Sequence, residues 1–196
     1  NKDFKNLFFA TKLYKEDMIF EKKCSKFSLL NKEDLGINID IDLIYCENYF
    51  KSKFSLIDFY GIYYNKSARE KLNCLMNIYK LFIHYFENEN SQNFNMLLRF
   101  IIFILLKKNF PRFISIFNFI KVFRIKAITT SIEDYFIHAV EKACETIYLD
   151  FNLNVNNLIR IDSNRLKEIL LEQSKKELLD KNFKSNGNLS FKGKFN

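Results

Sequence analysis

The chain has 196 residues, 48% of them hydrophobic and 28% charged, a composition that fits one folded domain and not a disordered chain. Its 4 glycines and 1 proline are too few for the turns of sandwiches, barrels or doubly wound sheets, so we predict an all-α fold, a compact helical bundle. The net charge of +8 does not by itself indicate a nucleic-acid partner, because the basic residues are spread along the chain and no nucleic-acid-binding motif occurs.

The first 60 residues carry only weak helical periodicity. The polar–apolar alternation in residues 38–46 could form a short strand, but we expect an irregular connector that ends in a helix. We therefore assign residues 1–60 to an N-terminal helical extension. Before the connector, apolar spacing predicts one amphipathic helix, whose stripe is Phe4, Leu7, Phe8, Leu13, Tyr14 and Met18.

A capping box marks the next helix. Ser67 and Glu70 lie three residues apart, where the hydroxyl and the carboxylate satisfy free N–H groups at a helix start. A polar loop, residues 87–93, ends this segment. Between them, seven apolar residues recur at helical spacing: Leu72, Leu75, Met76, Tyr79, Phe82, Ile83 and Phe86.

The most apolar stretch of the chain runs from residue 94 to 106. It is shorter than the roughly 20 residues that cross a bilayer, it contains Arg99, and two lysines close it. A short helix that is apolar on nearly every side is usually buried, so we predict the central helix of a bundle. Pro111 then breaks the chain, and another apolar helix is expected at 113–123.

Thr130 and Glu133 form a second capping box. A helix is predicted from there to about residue 147, and a last helix at about 163–180. We assign residues 61–150 to the core bundle, 151–180 to a C-terminal helix that packs on it, and 181–196 to a basic flexible tail. The apolar stripe of the helix predicted to start at Thr130 is Ile132, Tyr135, Phe136, Ala139, Val140, Ala143 and Ile147.

The cysteines are far apart in sequence, without C-x-x-C spacing, and only two histidines accompany them. We therefore expect no metal and no cofactor. Cys74 and Cys144 lie on or beside apolar stripes and are expected to be reduced core thiols. The N-terminus lacks the pattern of a signal peptide, which favours the cytosol. Because the chain opens at Asn1 and not at Met, we expect it to be an excerpt of a longer protein.

No catalytic constellation is evident. The sequence has no Gly-rich phosphate loop, no nucleophile elbow and no metal pair. His138 lies beside a helical stripe, where a structural histidine is more common than a general base. These observations favour a protein that acts by binding another protein over an enzyme with its own reaction pocket.

Three blocks in order resemble a known family. They are KSAREKLNCL at residues 66–75, a central helix with a proline loop and a following helix at 95–123, and EDYFIHAVEKACETI at 133–147. Together they resemble the vacuolar protein sorting 9 domain, the catalytic module of exchange factors for early-endosomal Rab GTPases. The blocks cover less than half the chain.

The resemblance implies a mechanism without covalent chemistry or cofactor. In this family, an acidic side chain at the start of the central helix enters the nucleotide site of the GTPase. There it disturbs the magnesium ion and engages the phosphate-binding lysine, while a tyrosine of the later helix holds a switch region open. It also implies a cytoplasmic protein that is recruited to endosomal or vesicle membranes.

This chain departs from the family pattern at several positions. Asn95 stands where the family has its acid, and Arg99 where it has a proline. Tyr135 keeps the family tyrosine, with Phe136 beside it, and His138 replaces a threonine. The resemblance therefore assigns Asn95 and Tyr135 to catalysis of exchange, and Arg99, Phe136 and His138 to GTPase binding.

Each of these residues also has a structural explanation. Asn95 could equally cap its helix, since Asn is a favoured N-cap, and Tyr135 could equally pack in the core. We favour a snorkelling surface role for Arg99.

Three functions remain open at this stage. The chain could be an exchange factor, weakened by Asn95, for an early-endosomal Rab-type GTPase. It could be a catalytically inactive Rab-binding scaffold. It could also be a helical structural subunit of a membrane-associated assembly, and a peripheral contact with an anionic membrane is compatible with all three.

Overall fold

The computed structural model contains six α-helices in the described part of the chain before residue 150. The described residues are 2–39, 41, 61–86, 93–149 and seven helical positions between 167 and 179. No strand occurs among them, which confirms the all-α prediction. The helices are α1 (Lys2–Phe27), α2 (Gly61–Tyr64), α3 (Ala68–Phe86), α4 (Phe94–Lys108), α5 (Phe113–Phe123) and α6 (Ser131–Tyr148), with a 3-10 turn at Lys126–Ile128.

The chain divides into two units, residues 1–160 and 161–196. The second unit is helical at its described positions, in the region where a C-terminal helix is predicted; its packing on the bundle stays a prediction. The predicted connector after residue 41 and the basic tail at 181–196 lie outside the described residues.

Helix α4 is the central helix, as predicted. Nine of its residues are buried, and it contacts α1, α3 and α6. No described helix is long and apolar enough to cross a membrane. The buried residues of α4 are Leu97, Leu98, Phe100, Ile101, Ile102, Phe103, Ile104, Leu105 and Leu106.

Local signals set the ends of α3, α4 and α6. Both predicted capping boxes are present: Ser67 exchanges hydrogen bonds with Glu70, and Thr130 with Glu133. Helix α4 ends at Asn109, whose left-handed backbone (φ 41°) lets its N–H donate to Leu105. Local side-chain chemistry therefore explains why these helix bounds agree with the sequence pattern.

Helix α1, within the predicted N-terminal extension, packs on three helices of the bundle. Phe20, Cys24 and Phe27 are buried, and α1 contacts α4, α5 and α6. Tyr14 and Met18, which we placed on its buried stripe, are 57% and 55% exposed, so that part of the stripe is corrected. The buried face of α1 instead follows Asp17, Phe20, Cys24 and Phe27, a 3–4 residue spacing that the weak apolar pattern concealed.

Two carboxylates of α1 cap the start of α5. Arg112, the N-cap residue of α5, makes no side-chain cap. Instead, Asp17 accepts hydrogen bonds from the backbone N–H of Ser115 (2.9 Å) and from its hydroxyl, and Glu21 accepts one from the N–H of Arg112 (2.8 Å). The free N–H groups that every helix start leaves are thus satisfied by another helix, so α5 depends on α1.

The three described cysteines are free and buried. Burial, and then the nearby Glu21, raise the pKa of the Cys24 thiol to about 12. Burial also raises the pKa values of Cys74 and Cys144. A thiol that stays protonated and enclosed is unreactive, which confirms Cys74 and Cys144 as reduced core thiols.

Candidate functional site

The start of α4 meets the first half of α6 through one aromatic side chain. The ring of Phe94 lies 5.6 Å from that of Tyr135, nearly edge-on, and 5.6 Å from the imidazole of His138, nearly parallel to it. Asn95 follows Phe94 in the first turn of α4. Two residues singled out in the sequence, Tyr135 and His138, are therefore in contact with Phe94, the neighbour of Asn95 in the chain.

Asn95 does not cap α4. The cap is Asn93, whose side-chain oxygen accepts hydrogen bonds from the N–H groups of Asn95 (3.0 Å) and Met96 (3.4 Å). The side chain of Asn95 is exposed and makes no hydrogen bond within the described part of the chain. Its amide is therefore available to a partner. The alternative explanation, that Asn95 serves only as a helix cap, is corrected.

At the start of α4, the described residues contribute the helix dipole to this site and no carboxylate. The start of a helix carries a partial positive charge, and the first turn of α4 contains no acidic residue. Asn95 adds an amide, which can both donate and accept hydrogen bonds. No three His, Cys, Asp or Glu side chains among the described residues lie close enough together to hold a metal ion.

Tyr135 is half-buried beside Phe94, with an aromatic neighbour in α3. Burial, and then the neighbouring Tyr79, raise the pKa of Tyr135, so its hydroxyl stays protonated and can donate as well as accept a hydrogen bond. Its partly exposed ring lies at the edge of the core, where it packs on Phe94 and can also contact a partner.

Phe136 and His138 have different environments. The side chain of Phe136 is fully buried, with its ring 5.8 Å from that of Tyr79. It cannot reach a GTPase in this structure, so its expected binding role is corrected to a role in the core. His138 is exposed apart from its stack on Phe94 and keeps its expected place on the surface.

Arg99 points toward the segment that follows α1 and not toward the start of α4. Its guanidinium is half-buried and donates a hydrogen bond to the carbonyl of Gly36, at 3.4 Å. Gly36 has a left-handed backbone (φ 69°). Lys107, also on α4, donates to the carbonyl of Ser28 at 2.8 Å. The surface role expected for Arg99 is therefore corrected to a contact between α4 and residues 28–39.

Replacing Gly36 by alanine should destabilise the fold by about 2 kcal/mol. Left-handed backbone costs a residue with a Cβ about 1–2 kcal/mol, and the new Cβ would overlap the guanidinium of Arg99. Urea unfolding of Gly36→Ala, in the native and in the Arg99→Ala background, separates the two contributions. A smaller loss in the Arg99→Ala background is expected; equal losses in both would show that Arg99 is not held at Gly36.

Phe94 is the residue of this site that the sequence analysis did not assign. It is the first residue of α4, directly after the Asn93 cap. An aromatic residue at that position is compatible with simple helix packing. Its contact with α6 depends on how the two helices pack, which the spacing of residues along the chain does not reveal.

The comparisons with known proteins give one match. The model of the Vacuolar sorting protein 9 (VPS9) domain matches residues 53–150, half of the chain. No curated protein and no solved structure matches the chain. VPS9 domains bind Rab GTPases, and the family implies a function of the Rab-exchange-factor type in trafficking. The matched region contains α2 to α6 and all three blocks of the sequence resemblance. The chain belongs to the VPS9 domain family.

Proposed function

We propose that this chain promotes GDP release from an early-endosomal Rab-type GTPase, in the cytoplasm at endosomal or vesicle membranes. The observation that carries the proposal is the contact of Phe94 with Tyr135 and His138. The family resemblance assigns GTPase contacts to Tyr135 and His138, and the exposed Asn95 directly follows Phe94 in the chain.

Asn95, Tyr135 and His138 have different roles in this proposal. Asn95 stands at the position of the family acid and enters the nucleotide site, where its amide oxygen accepts a hydrogen bond from the phosphate-binding lysine. Tyr135 holds the switch region open with its ring and its protonated hydroxyl. His138 extends the aromatic surface beside it. The reaction is an exchange of bound nucleotide, so no covalent step is needed.

The activity should be weak compared with that of an acidic homologue. A neutral hydrogen bond in place of a charge-assisted one loses about 1.5–3 kcal/mol, which is about one to two powers of ten in rate if the bond acts only in the transition complex. The alternative is a Rab-binding scaffold without exchange activity. The absence of an acid from the first turn of α4 favours it.

The proposal is tested by the release of a fluorescent GDP analogue from a panel of Rab GTPases. Tyr135→Ala should slow the release more than about tenfold, because a half-buried tyrosine at an interface is a typical hot spot. Tyr14→Ala is the matched control, since Tyr14 is 57% exposed on α1 and should leave the rate unchanged.

Melting curves of both tyrosine variants show whether the fold is intact. Equal rates for the native chain and a folded Tyr135→Ala variant would contradict the proposed site. Binding of a Rab without any acceleration would identify the scaffold.

A further inference from the structure

Phe94 connects the first turn of α4 with two residues of α6. Its ring meets the ring of Tyr135 nearly edge-on, at 70°, and lies at 28° to the imidazole of His138, with 5.6 Å between ring centres in both cases. Edge-to-face and offset parallel arrangements of aromatic rings are favourable beyond the area that they bury. One side chain of α4 therefore packs against both residues of α6.

The two residues that Phe94 contacts share one face of α6. Tyr135 and His138 are three residues apart, the spacing that makes side chains neighbours on a helix. Tyr135 is half-buried, whereas His138 is exposed and stacks on Phe94. Exposed side chains change rotamer rapidly, so the loss of the Phe94 ring would release His138 and remove a packing contact from Tyr135.

The contact of Phe94 also constrains the first turn of α4. Phe94 is the first residue of this helix, directly after the Asn93 cap, and successive side chains of a helix differ by about 100° around its axis. With Phe94 packed on α6, Asn95 therefore points to a different side of the helix, where it is exposed. The Asn93 cap sets where α4 begins, and the Phe94 contact sets how its first turn is rotated relative to α6.

We infer that Phe94 is a positioning residue for GDP release, which sets Tyr135 and His138 relative to the first turn of α4. The inference rests on the proposed function. Phe94 acts through its neighbours and does not itself enter the nucleotide site. Its loss should therefore lower the maximum rate of GDP release and leave the affinity for the GTPase nearly unchanged, because precise placement of the acting groups matters most in the transition complex.

The test replaces Phe94 by leucine. Leucine keeps an apolar side chain at the helix start and removes the aromatic ring, so the fold should persist, as a melting curve would check. The GDP-release assay at increasing concentrations of the chain gives a maximum rate and a half-saturating concentration. We expect the maximum rate to fall about tenfold and the half-saturating concentration to change less than about threefold.

Phe94→Tyr is the conservative variant, and Phe119→Leu is the matched control. Tyrosine keeps the ring at a half-buried position, where its hydroxyl can reach solvent, so Phe94→Tyr should keep most of the maximum rate. Phe119 of α5 is also half-buried and packs on an aromatic ring, that of Phe123, at 4.8 Å. Phe119→Leu makes the same change away from the start of α4 and should leave the rate unchanged.

NMR of the histidine side chains measures the contact itself, without a GTPase. The chain has 2 histidines, His84 and His138, so His84→Gln assigns both sets of signals. An aromatic ring shifts the signals of protons that lie close to its face. Phe94→Leu should therefore shift the signals of His138 and leave those of His84 in place. Unshifted His138 signals would contradict the stack on Phe94 and, with it, the inference.

The combined outcomes separate this inference from the proposed function. If Tyr135→Ala slows GDP release while a folded Phe94→Leu variant keeps the native maximum rate, the proposed site stands and the positioning role is wrong. A raised half-saturating concentration at an unchanged maximum rate would identify Phe94 as a direct GTPase contact, which also contradicts the inference. If the native chain accelerates no Rab, the proposed function fails and the positioning role fails with it, even where the histidine signals confirm the contact.

Discussion

Asn95→Asp should release GDP from the responding Rab about ten to a hundred times faster than the native chain. The side chain is exposed in the first turn of α4 and has no hydrogen-bond partner in the described part of the chain. A carboxylate there forms a charge-assisted bond with the phosphate-binding lysine, stronger by about 1.5–3 kcal/mol, which corresponds to that range of rates. The fluorescent GDP-release assay measures the gain.

The same substitution should also stabilise the protein by about 0.3–1 kcal/mol, because an acid at a helix start interacts favourably with the helix dipole. The matched control is Asn73→Asp, the same charge change at an exposed position of α3, which should leave the exchange rate unchanged. If Asn95→Asp is no faster than the native chain while Tyr135→Ala is slower, Asn95 does not stand in for the family acid.

Asp17→Ala should lower the free energy of unfolding by about 3 kcal/mol. Asp17 is buried and accepts two hydrogen bonds from Ser115, one of them from a backbone N–H in the first turn of α5. Truncation leaves those donors without an acceptor, and an unsatisfied buried donor costs about 1–3 kcal/mol. It also removes a helix cap, which contributes about 1 kcal/mol. Urea unfolding measures the loss.

Asp17→Asn is the graded control for this prediction. It keeps one oxygen that accepts from the N–H of Ser115 and loses the charge and the second oxygen, which accepts from the Ser115 hydroxyl, so we expect a loss of about 1 kcal/mol. A cost below about 1 kcal/mol for Asp17→Ala would contradict the account that α1 caps α5.

The helices from α3 to α6 could be predicted because their ends are local. Each capping box places its two partners three residues apart, and Pro111 marks the break after α4. The role of α1 could not be predicted in this way. Asp17 and Ser115 are 98 residues apart, and a buried acid on a weakly apolar helix gives no pattern that reveals its partner.

The site was predicted in part, and the corrections have physical causes. The resemblance assigned Asn95, Tyr135 and His138, and the packing of α4 on α6 brings Tyr135 and His138 into contact with Phe94, next to Asn95 in the chain; their roles stay predictions. Arg99 was misassigned because its acceptor, the carbonyl of Gly36, lies 63 residues upstream. Phe136 was misassigned because it follows Tyr135 directly, and one residue along a helix turns the side chain by about 100°, here into the core.

The most direct test of the central claim compares two affinities of the native chain for one Rab. An exchange factor prefers the nucleotide-free GTPase, since by linkage it weakens nucleotide binding by the same coupling energy. We predict that the nucleotide-free Rab binds at least about tenfold more tightly than the magnesium–GDP form, a coupling of about 1.4 kcal/mol or more. Equal affinity for the two forms would contradict the claim that this chain acts on the nucleotide site.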